Sequence, residues 1–154
     1  MSEVEHRLAA MGVRLPTPAA PVANYVPYVI SGKLLFISGQ LPMGNGGIDA
    51  GCVGKLGELD VAQGQAAARL CAINVLAQAK AALGSLERIA RCVRLTGFVA
   101  VQNDFPAIPA VVNGASDFMV AALGDKGRHA RSAVGVAQLP LGAAVEIEAT
   151  FEIA

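Results

Sequence analysis

Tryptophan is absent, aromatic residues make up 5% of the 154 positions, and charged residues only 16%. An average soluble domain carries roughly 25% charge. Lysine plus arginine equals aspartate plus glutamate at 12 each, so there is no basic surplus to neutralise phosphates. With few rings to stack on bases as well, no nucleic-acid partner is expected. Disorder is excluded by the 54% apolar content and zero net charge. Histidine is scarce, His6 and His129 alone, and neither lies near Cys52, Cys71 or Cys92 in sequence. No CxxC occurs, so no metal site and no cofactor are predicted, and three reduced structural thiols point to a cytoplasmic protein. A membrane-spanning run of about 20 uncharged apolar residues is also missing. The most apolar stretch, residues 66–83, is interrupted by Arg69, Asn74, Gln78 and Lys80. Residues 1–12 carry Glu3, Glu5, His6 and Arg7, unlike a signal peptide, so no membrane partner is expected. So little charge leaves a monomer short of polar surface, which predicts association with copies of the same chain.

What is present reads as one domain behind an N-terminal extension. Ser2 and Glu5 form a capping box for a short helix with Val4, Leu8 and Met11 on one face. A linker with Pro16, Pro18 and Pro21 completes residues 1–22, and residues 23–154 form the domain. Strands are predicted at residues 24–30 and 33–38, around a Ser31–Gly32 turn. Residues 42–57, rich in glycine without a phosphate-loop spacing, read as a mobile flap. Asp60 and Gln63 open a helix over 61–83 whose stripe is Ala68, Cys71, Ala72, Val75, Leu76, Ala79 and Leu83. A strand over 89–101 carries Arg88, Arg91 and Arg94 along it, a solvated edge or an intersubunit ion-pair row. Asn103 and Asp104 cap a second long helix over 105–123, followed by strands at 131–137 and 144–153. In the last, Val145, Ile147, Ala149, Phe151 and Ile153 alternate with Glu146, Glu148, Thr150 and Glu152. The order β-β-α-β-α-β-β predicts an α+β fold, a mixed sheet with two long helices on one face.

One of those carboxylates is a candidate general base, and Arg131 is the natural anion anchor. If the last two strands form a hairpin turning near Leu141, Arg131 lies opposite Thr150, about 13 Å along the strand from Glu146. The two would then flank a small substrate or meet across a subunit interface. His129, two residues before Arg131, is a loop histidine able to titrate near neutrality.

His129, Ala130, Arg131, Ser132, Ala133 and Val134, then Leu139–Pro140, then Val145, Glu146, Ile147 and Glu148, resemble the C-terminal signature of the Rid (YjgF-like) family. Ser38, Gly39, Gln40, Leu41 and Pro42 resemble its second-strand motif, and Asn103, Asp104 and Phe105 its second-helix entry. The resemblance implies a chorismate-mutase-like fold, a homotrimer with clefts between subunits, and cofactor-free hydrolysis of enamines and imines such as 2-aminoacrylate to a 2-keto acid and ammonia. It also implies that Arg131 binds the substrate carboxylate and Glu146 orients or activates water. Tyr25, with Tyr28 as the competing candidate, would line the cleft with Ser38, Gly39, Ala133 and His129. The chain departs from the family pattern at His129, Pro109 and Ala133, where a proline, an asparagine and a cysteine are usual. A non-catalytic trimer binding an imine or 2-keto acid is the alternative expectation. The ribonuclease label of some members fits the neutral composition poorly, and chorismate mutase activity would rest on the fold name alone.

Overall fold

The longest helix owes its limits to its ends. In this computed structural model, which describes residues 1–21 and 23–154, Asp60 caps the helix and Gln63 reciprocates to the Asp60 backbone N–H. Gly84 closes it at φ +78°, a left-handed conformation that glycine adopts without Cβ strain. This helix, α2 (Val61–Leu83), and α3 (Ile108–Leu123) cover one face of a five-stranded sheet. Its strands are β1 (Tyr28–Ser31), β2 (Leu34–Gln40), β5 (Ile89–Ala100), β6 (Ala130–Val136) and β7 (Val145–Ile153), in the spatial order β1-β2-β7-β5-β6. A two-stranded ribbon of β3 (Met43–Gly44) and β4 (Gly47–Ile48) stands apart. The predicted α+β class, element order and helix-covered face are all present.

Small residues set how closely the layers meet. A Cβ on Gly114 would lie 2.2 Å from the Gln65 carbonyl oxygen, so α3 approaches α2 to a distance only glycine permits. A Cβ on Gly97 would likewise sit 2.6 Å from Val112, beneath α3. The whole predicted stripe of α2 is buried, and so are Asn74 and Gln78 on its other side. Asn74 donates to the Leu41 and Met43 carbonyls and Gln78 to the Ala19 carbonyl, so buried amides tie loop and linker to the helix. The composition that resembles a membrane span is therefore that of a core helix, 67% buried over its most apolar window. The helix α1 (Glu3–Ala10) has the predicted capping box and buries Val4 and Leu8 in the same core. The predicted linker has no helix or strand as far as Pro21, and its last residue, Val22, lies outside the described residues. All three cysteines are free and buried, and burial pushes their thiols up, Cys52 to about 11 and Cys92 to about 12.

Four expectations are corrected. The last two strands are not a hairpin: β6 pairs parallel with β5, and β5 separates it from β7. The β5-α3-β6 unit is a crossover, and parallel pairing through a helix prevails over the short β6–β7 connection. Strand β5 is therefore interior, with Arg91 opposite Glu152 and Arg94 opposite Thr150, not an edge. Residues 42–57 are no mobile flap: Cys52 and Leu56 are buried, and Leu56 exchanges hydrogen bonds with the Ala100–Gln102 backbone. Finally, α3 starts at Ile108 rather than near 105, with Asp104 at φ +67° ahead of it and Pro109 in its first turn.

Candidate functional site

The alternation of β7 puts Glu146 on the sheet face away from the helices, half-buried and opposite Phe98. Burial, with the nearby Glu148 charge adding to it, raises the Glu146 pKa above the ordinary carboxylate value. The carboxylate rests on Gly39, because β2 bulges there: Ser38 and Gly39 together stand against Glu148 alone. A Cβ on Gly39 would fall 2.8 Å from Glu146 Cδ and 3.0 Å from Oε2. The bulge and the missing side chain thus make room for a carboxylate over strand backbone. Ser38 Oγ donates to the Val26 carbonyl at 2.7 Å, fixing the segment that carries Tyr25. Tyr25 is 46% exposed and lines a cavity together with Ala20, Gly39 and Leu141, whereas Tyr28 packs against the core. Leu141 itself holds φ +58°, a strained conformation for a branched residue, at the rim of that cavity.

Arg131 lies on the other face. It is level with Leu95, a helix-covered position, and its guanidinium reaches α3. Nη1 donates to Asn113 Oδ1 at 2.8 Å and Ser116 Oγ at 3.1 Å, and Nη2 to the Pro109 carbonyl at 3.1 Å. Nε–H and the second Nη2–H have no acceptor among the described residues. His129 touches the same Ser116 hydroxyl through Nε2 at 2.9 Å, and its Nδ1 contacts the Gly127 carbonyl at 2.6 Å. Ala133 follows two residues on, against the core.

Within one chain, then, Gly39 joins Glu146 to the Tyr25 cavity with Ser38 beside it in the bulge, and Arg131 and His129 share Ser116 with Ala133 two residues on, but the two groups do not meet. Arg131 is level through Leu95 with Ala149, three residues along β7 from Glu146. Three residue rises and two strand spacings amount to roughly 14 Å between backbones, with the side chains on opposite faces. Sequence reasoning missed what holds Arg131. Pro109, Asn113 and Ser116 follow i, i+4, i+7 spacing on one helical face, a signal that was there to read.

A sequence model of the YjgF/chorismate mutase-like family, which also carries an endoribonuclease label, matches residues 5–150. The chain belongs to that family. Protein TCP17 of Trypanosoma cruzi is 51% identical over 153 residues, covering 97% of this chain and 94% of the relative. The crystal structure of Atu1372 from Agrobacterium tumefaciens, a protein described as of unknown function, superposes with a TM-score of 0.91 at 51% identity, over 98% of this chain and 92% of that one. E. coli TdcF, crystallised with bound serine, gives a TM-score of 0.65 at 29% identity, over 90% and 94% of the two chains. The YjgF-like fold is thus common to all of them.

Proposed function

We propose that this protein hydrolyses small enamine or imine acids to a 2-keto acid and ammonia, as a homotrimer with its sites between subunits. The observation that carries this reading is the seating of Arg131. Three acceptors on α3 hold the guanidinium from one side, and two N–H donors are left for an anion. Guanidinium grips carboxylate through two such parallel bonds. A second copy is required because the elevated carboxylate of Glu146 lies on the opposite face. That face also leaves Val29, Leu34, Phe36 and Val134 exposed, apolar surface that a neighbouring copy would cover. Serine bound to E. coli TdcF supports a small carboxylate-bearing ligand. Three buried free thiols fit a reducing cytoplasmic setting.

An enamine first takes a proton at its terminal carbon and gives one up from nitrogen to become the imine. Water then adds to the imine carbon as Glu146 takes one of its protons and the nitrogen is protonated. The carbinolamine collapses, the C–N bond breaks, and ammonia leaves as the hydroxyl loses its proton to form the ketone. A base with a raised pKa suits both the taking and the return of a proton near neutrality. No bound metal or organic group is needed for these steps.

The test generates 2-aminoacrylate in situ and follows 2-keto acid release. Wild type should exceed buffer, and Arg131→Ala should raise KM by about 10-fold or more, the equivalent of one charge-assisted pair. Wild type no faster than buffer overturns the reading. The second reading, a carboxylate-binding trimer without turnover, is favoured by Pro109 and Ala133, which bring no proton-transfer group beside Arg131. It requires calorimetric binding of a 2-keto acid in the absence of any rate.

A further inference from the structure

Resting on that reading, we propose that Ser116 and His129 form a positioning relay that orients Arg131 toward the substrate carboxylate. With the imidazole neutral, the donor accounting leaves one arrangement. A carbonyl only accepts, so the 2.6 Å contact with Gly127 requires a hydrogen on His129 Nδ1. The neutral ring then has a bare Nε2, and only the Ser116 hydroxyl can supply the hydrogen between them at 2.9 Å. With its single hydrogen committed to the ring, Ser116 Oγ presents lone pairs, and Arg131 Nη1 donates to one of them at 3.1 Å. The Gly127 carbonyl, the imidazole, the hydroxyl and the guanidinium thus form one directed chain.

The chain is anchored at its far end by packing. Gly127 is buried, and a Cβ there would lie 2.4 Å from the Met119 carbonyl oxygen, so the turn before β6 is pressed onto α3. Gly127 and Ser116 therefore hold the imidazole between a turn and a helix that cannot drift apart. Without the ring, the Ser116 hydroxyl would turn to the preceding helical carbonyl, as mid-helix serines do, and stop pointing its lone pairs at Arg131. A serine bonded to histidine resembles a nucleophile and its base. Here the oxygen already accepts from a cation, which withdraws electron density, so the pair serves orientation instead.

Both Nη1 hydrogens and one Nη2 hydrogen are thereby spent, and the substrate is gripped by Nε–H together with the remaining Nη2–H. Loosening the relay costs the second bond of that grip while the reacting centre is untouched. Ser116→Ala and His129→Ala should each raise KM for 2-aminoacrylate, and weaken calorimetric pyruvate binding, by about 10-fold, with kcat within about twofold. His129→Gln, whose amide oxygen can accept from Ser116, should recover most of that loss. A ligand-free readout is nitrogen NMR of the Arg131 guanidinium in the full assembly. Distinct Nη1 and Nη2 resonances are expected in wild type, averaged by rotation in both alanine variants and distinct again in His129→Gln. Unchanged Nη resonances in both alanine variants, or a glutamine variant no better than alanine, overturns the relay. Pyruvate binding that survives Arg131→Ala, or a wild type without turnover, instead overturns the deaminase reading, and the NMR comparison still decides the relay.

Discussion

Replacing Gly39 with alanine perturbs the candidate base without altering any ionisable group. The added Cβ would stand 2.8 Å from Glu146 Cδ, against 3.4–4 Å for ordinary van der Waals contact, so the carboxyl must retreat by 0.6–1.2 Å. Retreat is available to it, because the obstacle is the far end of a flexible side chain and Gly39 does not occupy a left-handed conformation. The fold should therefore lose less than about 1 kcal/mol, the range of a tolerated surface-side change. Catalysis is less forgiving, since misplacing a reacting group by about 1 Å costs on the order of 100-fold. Gly39→Ala is expected to lower kcat for 2-aminoacrylate about 100-fold with KM little changed, because Arg131 on the other sheet face is not touched. The coupled assay for 2-keto acid release and thermal unfolding of the same preparation measure the two effects. A variant with kcat within about twofold of wild type would mean that Glu146 does not place the water.

Glu146→Gln should lower kcat by about 100-fold or more, the usual contribution of a positioned base, while raising Tm. The sign follows from the raised pKa: the folded state holds that proton more tightly than the unfolded chain, so stability is lost as pH rises through the elevated value. The wild-type acid limb of kcat should accordingly lie above the ordinary carboxylate range, and a limb at or below it contradicts the assignment. Gly114→Ala forces a Cβ to within 2.2 Å of a backbone oxygen, which cannot swing aside, and should cost about 1–3 kcal/mol in chemical denaturation. At the N-terminus, Lys80 and the Ser2 backbone hold Glu5 at about 2, below its ordinary 4.5. Its support for α1 should be complete above pH 4.5 and fade as pH falls toward 2, read as faster amide exchange at Glu3–Ala10. Unchanged exchange over that range would remove Glu5 from the account.

How much was legible in the sequence depended on whether the signal was local. The capping pairs Ser2 with Glu5 and Asp60 with Gln63, and the alternation of β7, are set by neighbours along the chain, and each was readable. The anchoring of residues 42–57 was not, because Cys52 and Leu56 find their partners at Ala144 and Ala100, far along the chain. Asn74 and Gln78 interrupt the apolar run of α2, yet both are buried, since the linker and the loop after β2 supply carbonyls that no periodicity reveals.

The strand neighbours of Arg131 are where local reading misled most, and the error bears on function. A connection of eight residues between Val136 and Val145 invites a hairpin, which would put Arg131 and Glu146 in adjacent strands. The crossover through α3 instead lays β6 on the far side of β5 and points Arg131 at the helix layer. A hairpin would have allowed a site within one chain. The observed order puts Arg131 and Glu146 on opposite faces of one sheet, so a site that used both would take two copies of the chain. The low charge that suggested an oligomer and the topology that separates Arg131 from Glu146 are independent arguments for the same assembly. Sedimentation or light scattering that finds only monomers would remove both the covered sheet face and the composite site at once.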